Sequence, residues 1–250
     1  QLLTFMHPLK GEMVIEGDEA LEEKALRGEL PWIENPIDDS NAAAPGNRGL
    51  FTVAMTKKLT DLFQQCFTEG LNDPLARPSM MEWAEAFEQA SMATLTCNNE
   101  VCGQSFIYNR AHQCPFCDGI INPSDFLLLK HYYYTPAFEA DDSEQQGSGW
   151  INSQSGIVIT ADKPVSLKKL DPASALYHNS APLCQLELTS NGLYIIPAED
   201  QQLHLQRISD SKNIPIQKRQ LLKAESRSST RFALHLEDMS ATHPVWIFNW

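Results

Sequence analysis

Four cysteines lie close together in two pairs near the middle of the chain. Counted along the sequence, four, eleven and two residues separate Cys97, Cys102, Cys114 and Cys117. Two such pairs on separate turns can bring four thiolates around one ion in a tetrahedron, which is how structural zinc sites are built. Zinc suits this ligand set because thiolates are soft ligands and the ion imposes no d-electron geometry. The spacing therefore favours one Zn²⁺ bound by these four residues.

The residues around the cysteines fit a closed zinc site. Gly103 directly follows the second cysteine and Gly119 lies two residues beyond the fourth, where glycine permits a tight turn with backbone amides pointing at sulfur. Phe106 and Tyr108, between the pairs, are expected to cover the site. We interpret the nearby His112 as a surface residue, because a closed site needs only four ligands. Such a site has no open position for water or substrate, which predicts a structural ion.

Other uses of the cysteines stay open as alternatives. Disulfides need an oxidising compartment, and no signal peptide directs the chain to one. The sequence CPFC, from Cys114 to Cys117, also resembles the active site of a glutaredoxin-type thiol oxidoreductase. That motif should follow a strand and open a helix, whereas here it lies in a loop-rich stretch. Metal binding would discriminate between these readings. Cys66 and Cys184 lie on apolar stripes and are predicted to be core residues.

Charge and hydropathy exclude some classes of partner. The chain has 19 Lys and Arg against 32 Asp and Glu, a net charge of −13. Proteins that bind nucleic acids usually present a basic face to the phosphates. A zinc-ribbon protein that binds nucleic acid is therefore only an alternative. We interpret the one locally basic stretch, 212–231, as a solvated strand–loop face. No apolar run approaches the roughly 20 residues that span a bilayer. We therefore expect a cytoplasmic protein that binds neither nucleic acid nor membrane.

Residues 1–93 have helical periodicity. Thr56 is a candidate N-cap of the second predicted helix and Gly70 its candidate end. Ser79 is the predicted N-cap of the third helix, with Glu82 as its capping-box partner. The predicted helices lie within 16–30, 55–71 and 77–90, with a loop rich in turn residues at 34–49.

The remainder of the chain predicts strands. Residues 94–123 hold the cysteines and are predicted to form a zinc ribbon, and residues 124–250 a mainly β, sandwich-like domain with an acidic linker at 139–149. Asn191-Gly192 is a strong hairpin signal. Strands are predicted at 126–135, 156–160, 183–189, 192–197, 202–208, 231–237 and 244–250. The expected fold class is α+β.

The helical part resembles the last third of a protein kinase catalytic domain. The sequence HPLKGE at 7–12 is similar to the loop after the central helix of the kinase C-lobe. The chain also matches the pattern that ends the kinase C-lobe, a helix followed by a loop, an Arg-Pro-Ser/Thr step and a final helix. The matching residues are Leu59, Leu62, Phe63, Arg77, Pro78, Ser79 and Trp83. The resemblance implies a partial C-lobe over residues 1–93. In kinases the arginine at the position of Arg77 pairs with a glutamate of the activation segment, which in this chain would precede Gln1. Arg77 is therefore expected to find another carboxylate or to face water.

The order of kinase tail, zinc ribbon and further domain is similar to the bacterial kinases of the tellurite-resistance-associated TerY phosphorylation triad. In that triad a kinase, a metal-dependent Ser/Thr phosphatase and a von Willebrand A-domain protein are encoded together. The resemblance implies a docking and regulatory region with the A-domain protein as partner. The linker acids Asp141, Asp142 and Glu144 are candidates to complete the shell of a divalent cation on that partner.

Catalysis itself is not expected. A kinase needs a Gly-rich loop, a strand lysine, a catalytic-loop Asp and an Asp-Phe-Gly metal ligand, and this sequence contains none of these motifs. The chain begins with Gln1, and we expect a fragment or processed chain whose catalytic part lies upstream. As given, the chain is predicted not to be an enzyme.

Overall fold

The computed structural model describes residues 6–108, 111, 113–136, 149–161, 163–168 and 180–250. In this part of the chain the α-helices precede the strands. They are α1 (Glu12–Ile15), α2 (Glu19–Leu26), α3 (Pro45–Ala54), α4 (Lys57–Phe67), α5 (Glu69–Asn72) and α6 (Met80–Met92). No helix among the described residues has both the length and the apolar character needed to cross a bilayer.

The starts of the longer helices follow capping chemistry. The Thr56 side chain accepts a hydrogen bond from the backbone of α4, as predicted. Ser79 and Glu82 form both halves of a capping box at the start of α6, which confirms that prediction as well. These bonds satisfy backbone N–H groups that the first helical turn leaves without partners. The predicted end at Gly70 is wrong, because α4 ends earlier and Gly70 lies inside α5.

Two further helical boundaries differ from the sequence prediction. The predicted loop 34–49 is partly helical, because α3 begins at Pro45, where the fixed φ of proline suits the first helical position. Helix α2 is shorter than the predicted 16–30. The Asp18 side chain caps its start, and Gly28, with a φ of 76°, ends the right-handed backbone soon after it.

Arg77 lies over Gly70 rather than against a carboxylate. Its Nε donates to the Gly70 carbonyl at 2.7 Å, and the residue is exposed. A Cβ on Gly70 would come within 2.8 Å of the Arg77 Cγ, so glycine is needed for this approach. Arg77 therefore faces water, the second of the two expectations, and no described carboxylate lies within ion-pair distance of it.

The strands form three antiparallel sheets. Strands β1 and β2 form a hairpin, a four-stranded sheet has the order β10-β7-β6-β5, and a six-stranded sheet has the order β4-β3-β12-β11-β8-β9. The strands are β1 (Thr94–Thr96), β2 (Ser105–Ile107), β3 (Phe126–Thr135), β4 (Gly149–Thr160), β5 (Val165–Lys168), β6 (Pro182–Thr189), β7 (Gly192–Pro197), β8 (Leu203–Arg207), β9 (Lys212–Ile216), β10 (Gln220–Lys223), β11 (Arg231–His235) and β12 (His243–Asn249).

The two larger sheets share one hydrophobic core. Leu127 and Leu129 of β3 pack in the same buried cluster as Leu186 of β6, Leu193 of β7 and Trp246 of β12. Two antiparallel sheets that enclose a common core have the arrangement of a β-sandwich. The α+β class is thus confirmed, and the strand predicted at 126–135 has those boundaries in the structure.

Some strands escaped the sequence prediction. Strands β5, β9 and β10 are only four or five residues long, and β9 contains Pro215, which favours edge positions. Two of them lie in the basic stretch 212–231. The predicted hairpin at Asn191-Gly192 is confirmed between β6 and β7. Glycine is required there because φ is 135° and a Cβ would lie 2.0 Å from the Leu222 carbonyl oxygen of β10.

Candidate metal centre

Two hairpin loops carry the four cysteines. The first loop joins β1 to β2 and contains Cys97 and Cys102, with the Cys97 amide donating to the Gln104 carbonyl at 2.9 Å. The second loop is closed by an isolated antiparallel bridge between 113 and 120 and contains Cys114 and Cys117. Each loop therefore holds its two thiols at a fixed separation on a short hydrogen-bonded turn.

The sulfur atoms lie at the separations that a tetrahedral zinc ion requires. Cys97 Sγ is 3.7 Å from Cys117 Sγ, and Cys102 Sγ is 3.9 Å from Cys114 Sγ. All four sulfur atoms lie within 4.8 Å of one another. With Zn–S bonds of about 2.3 Å, a regular tetrahedron has S–S edges of about 3.8 Å. The four residues predicted from the sequence are therefore brought together with the geometry of a metal site.

The same distances bear on the two thiol-based alternatives. All four cysteines are free, and a disulfide needs sulfur atoms about 2.05 Å apart. No described helix begins at Cys114 or Cys117; the loop leads instead into β3. A thiol oxidoreductase motif at a strand–helix junction is thus not the environment of CPFC in this chain.

The turn after each pair has the same backbone conformation. Gly103 and Asp118, each directly after the second cysteine of its pair, both have a φ of 54°. The sequence prediction assigned the second turn to Gly119, and this is wrong, because Asp118 has the left-handed conformation. Aspartate tolerates this region better than most residues. Gly119 serves another purpose, since a Cβ there would come within 3.2 Å of Cys117 Sγ.

Burial, backbone amides and neighbouring thiols shift the pKa values of the cysteines in different directions. The Asn99 amide lowers the pKa of Cys97, but desolvation and the other three thiols together raise it to about 12. Desolvation raises the pKa of Cys114, yet hydrogen bonds from the Phe116 and Cys117 amides and from neighbouring thiols outweigh it, and the pKa is lowered. Four protonated thiols at this spacing must lose protons to bind a metal, so a cation and protons compete for the site.

The cysteine segment, residues 94–123, packs between the helices and the sandwich. Cys114 is fully buried in a cluster with Phe106, Phe126 of β3 and Val158 of β4. Tyr108 lies edge-on to Phe126, with ring centroids 4.7 Å apart. On the other side, Ile107 of β2 packs against the core of α4 and α6. Both aromatic residues predicted to cover the site belong to its surroundings.

The remaining cysteines and site candidates have different positions. Cys184 is buried in the sandwich core, as predicted, and desolvation raises its pKa to about 12. Cys66 on α4 is only half-buried. The linker acids and His112 lie outside the described residues; the acids are Asp141, Asp142 and Glu144.

Exposed apolar residues on the two cysteine loops were not identified from the sequence. Val101 is 96% exposed, Ile120 is 85% exposed and Phe116 is 44% exposed. Their positions between or beside the cysteines are visible in the sequence. Their exposure depends on how the loops pack, which periodicity does not report.

Comparison of the chain with known protein families, with curated proteins and with solved structures gives no match. The kinase resemblance and the A-domain partner that it implies rest on sequence motifs alone. The metal centre rests on the sulfur geometry.

Proposed function

We propose that Cys97, Cys102, Cys114 and Cys117 bind one structural Zn²⁺ and make the cysteine segment a zinc ribbon. The sulfur–sulfur separations of 3.7 and 3.9 Å carry this proposal. Four thiolates complete the tetrahedron, so no position is left for a water molecule or a substrate. The ion would fix the two loops to each other, and the loops in turn join the helices to the sandwich.

The role we propose for the whole chain is protein docking and regulation, as the non-catalytic part of a Ser/Thr-type protein kinase. The order of motifs along the sequence supports this, since the kinase-like helices are followed by the cysteine pairs and then by strands. The chain would act in a signalling system with a phosphatase and a von Willebrand A-domain protein. Nucleotide-binding motifs of kinases are missing from the sequence, which favours docking over phosphoryl transfer.

The loop tips support a protein partner over a nucleic acid. Val101, Phe116 and Ile120 place apolar side chains at the surface of the two loops. Exposed apolar residues that lie together on a surface often mark a site of protein interaction. The only cation in the sequence between 94 and 123 is Arg110, and phosphate backbones are bound by several Lys and Arg residues.

Binding of a co-encoded A-domain protein to the chain tests the docking role. We expect saturable binding by calorimetry, weakened about tenfold by combined Val101→Ser and Ile120→Ser substitutions, as is typical of residues at the centre of an interface. Ile37→Ser is the matched control, because Ile37 is also highly exposed but lies in the loop after Trp32 and far along the chain from the cysteines.

The outcomes separate the parts of the proposal. Absence of binding with and without Mg²⁺ would remove the A-domain partner. Binding that is unchanged when Mg²⁺ is withdrawn would retain the partner and discard a cation bridge through Asp141, Asp142 or Glu144. Equal weakening by Ile37→Ser and by the loop-tip substitutions would discard the loop tips as the docking surface.

A further inference from the structure

A groove with a basic lining lies on the outer face of the six-stranded sheet, beside the cysteine segment. Its volume is about 680 Å³. Its floor is formed by β3, β12 and β11, and Tyr108 of the cysteine segment forms part of its wall. The charged residues that line it are Lys130, Arg227 and Arg231, and no described carboxylate is among its lining residues. In a chain of net charge −13, this concentration of positive charge is unexpected.

Strand register places two of the cations on the same surface. Lys130 of β3 is opposite Ile247 of β12, and Arg231 of β11 is opposite Asn249 of β12. Directly opposed residues project on the same side of a sheet, and Ile247 and Asn249 are two residues apart. The two cations are thus separated by two strand spacings and one two-residue step, which is roughly 12 Å between backbones.

Arg227 holds the end of this groove in place. Its guanidinium donates to the carbonyls of Pro123, Ser124 and Phe126 at 3.0, 2.8 and 2.7 Å. Burial lowers its pKa and Asp125 raises it. Three of the five N–H donors of an arginine are occupied by these bonds, and the charge itself is compensated by no ion pair among the described residues. Arg227 therefore adds a fixed positive charge at the end of the groove, which the nearby Asp125 carboxylate partly offsets.

Arg231 is the accessible cation of the set. It is exposed and has no ion-pair partner among the described residues, whereas Arg207 and Arg219 pair with Asp210 and Glu187. Between Arg231 and Lys130 the floor is formed by β12, with the apolar Ile247 opposite Lys130 and the polar Asn249 opposite Arg231. The groove thus offers positive charge at two points, with Ile247 and Asn249 between them.

We propose that this groove binds an extended acidic peptide of a protein partner. Same-side residues four apart in an extended strand are about 13 Å apart, close to the separation of Lys130 and Arg231. Two carboxylates at that spacing would meet the two cations, and an apolar side chain midway between them would lie over β12 beside Ile247. The inference depends on the docking role proposed above in one respect only, namely that the acidic peptide belongs to a protein partner.

A labelled synthetic peptide tests the groove without the A-domain protein. The probe is a fluorescein-labelled peptide with the core Glu-Ser-Leu-Ser-Glu, and the control peptide has Gln in place of both Glu residues. Anisotropy should show saturable binding of the acidic peptide, weakened about fivefold by Arg231→Gln, since an exposed charge contact is worth a factor of this size. Lys218→Gln is the matched control, because Lys218 is exposed and does not line the groove.

Further controls test whether the loss of binding comes from unfolding or from a preference for nucleic acid. Arg231→Lys should retain most of the binding, and thermal unfolding should show that each variant is folded. Equal binding of the Gln peptide, or equal binding by Arg231→Gln and the unaltered chain, would overturn the proposal. A single-stranded oligothymidylate that binds more tightly than the acidic peptide and loses affinity in Arg231→Gln would assign the groove to nucleic acid instead. None of these results depends on whether the loop tips bind an A-domain protein.

Discussion

Acidification should destabilise the protein through His131. This residue lies on β3, is only 6% exposed, and packs against Trp246 with ring centroids 4.8 Å apart. Its Nδ1 is 2.8 Å from the Ser153 hydroxyl, which lies 3.1 Å from the His131 carbonyl and donates to it. The neutral ring then donates from Nδ1 to that hydroxyl oxygen, and an added proton would place a charge on Nε2 inside the protein. Burial lowers the pKa of His131 from 6.5 to about 4.

The sign and size of the effect follow from this shift. The unfolded chain takes up the proton near pH 6.5, whereas the folded chain takes it up only near pH 4. The contribution of His131 to the free energy of unfolding is therefore complete above pH 6.5 and is lost as the pH falls towards 4. One pKa unit corresponds to about 1.4 kcal/mol, so the full loss is about 3 kcal/mol.

Urea unfolding at several pH values measures this loss. Between pH 6.5 and 5, His131→Gln should show a dependence of unfolding free energy on pH that is shallower by about 1 kcal/mol per unit than that of the unaltered chain. Gln217→Ala is the control, because Gln217 is exposed and not titratable, and its dependence should equal that of the unaltered chain. Zinc content is measured at each pH, because release of a bound ion would add to the slope of every variant. Equal slopes for His131→Gln and the unaltered chain would refute the reasoning.

Two further predictions concern local structure. Ser79→Ala removes the capping box of α6 and should lower the free energy of unfolding by about 1 kcal/mol in urea titrations; an unchanged midpoint would contradict the capping role. Gly192→Ala should lower the melting temperature strongly, because the new Cβ would lie 2.0 Å from the Leu222 carbonyl oxygen. Gly46→Ala is its control, since nothing lies within 4 Å of a Cβ there, and equal melting temperatures for the two variants would refute the steric argument.

The features that could be predicted from the sequence are those set by neighbours along the chain. The capping box of α6 needs only Ser79 and Glu82, three residues apart, and the boundaries of β3 follow from a run of apolar and aromatic residues. The four metal ligands are recognisable because two short loops fix their spacing. In each case the physical cause lies within a few residues of the feature.

The features that escaped prediction depend on distant contacts. The start of α3 at Pro45 lies among turn residues, and Val53 of this helix packs against the cluster around Cys114, which is distant in the sequence. Cys114 is buried because Val158 of β4 and Phe126 of β3 close over it. The basic groove joins Lys130 to Arg231, which are far apart in the sequence and meet only through the pairing of β12 with both strands. Periodicity along the chain does not report these contacts.

The metal content of the freshly purified, unchelated protein tests the central claim most directly. Native mass spectrometry with elemental analysis should give one zinc per chain. Cys114→Ser should lose most of it, because one of four ligands is removed, whereas Cys66→Ser should retain it, since Cys66 lies on α4 outside the cluster. Well under one zinc per chain in the unaltered protein, or equal zinc in the unaltered protein and Cys114→Ser, would contradict the assignment of the four cysteines as its ligands.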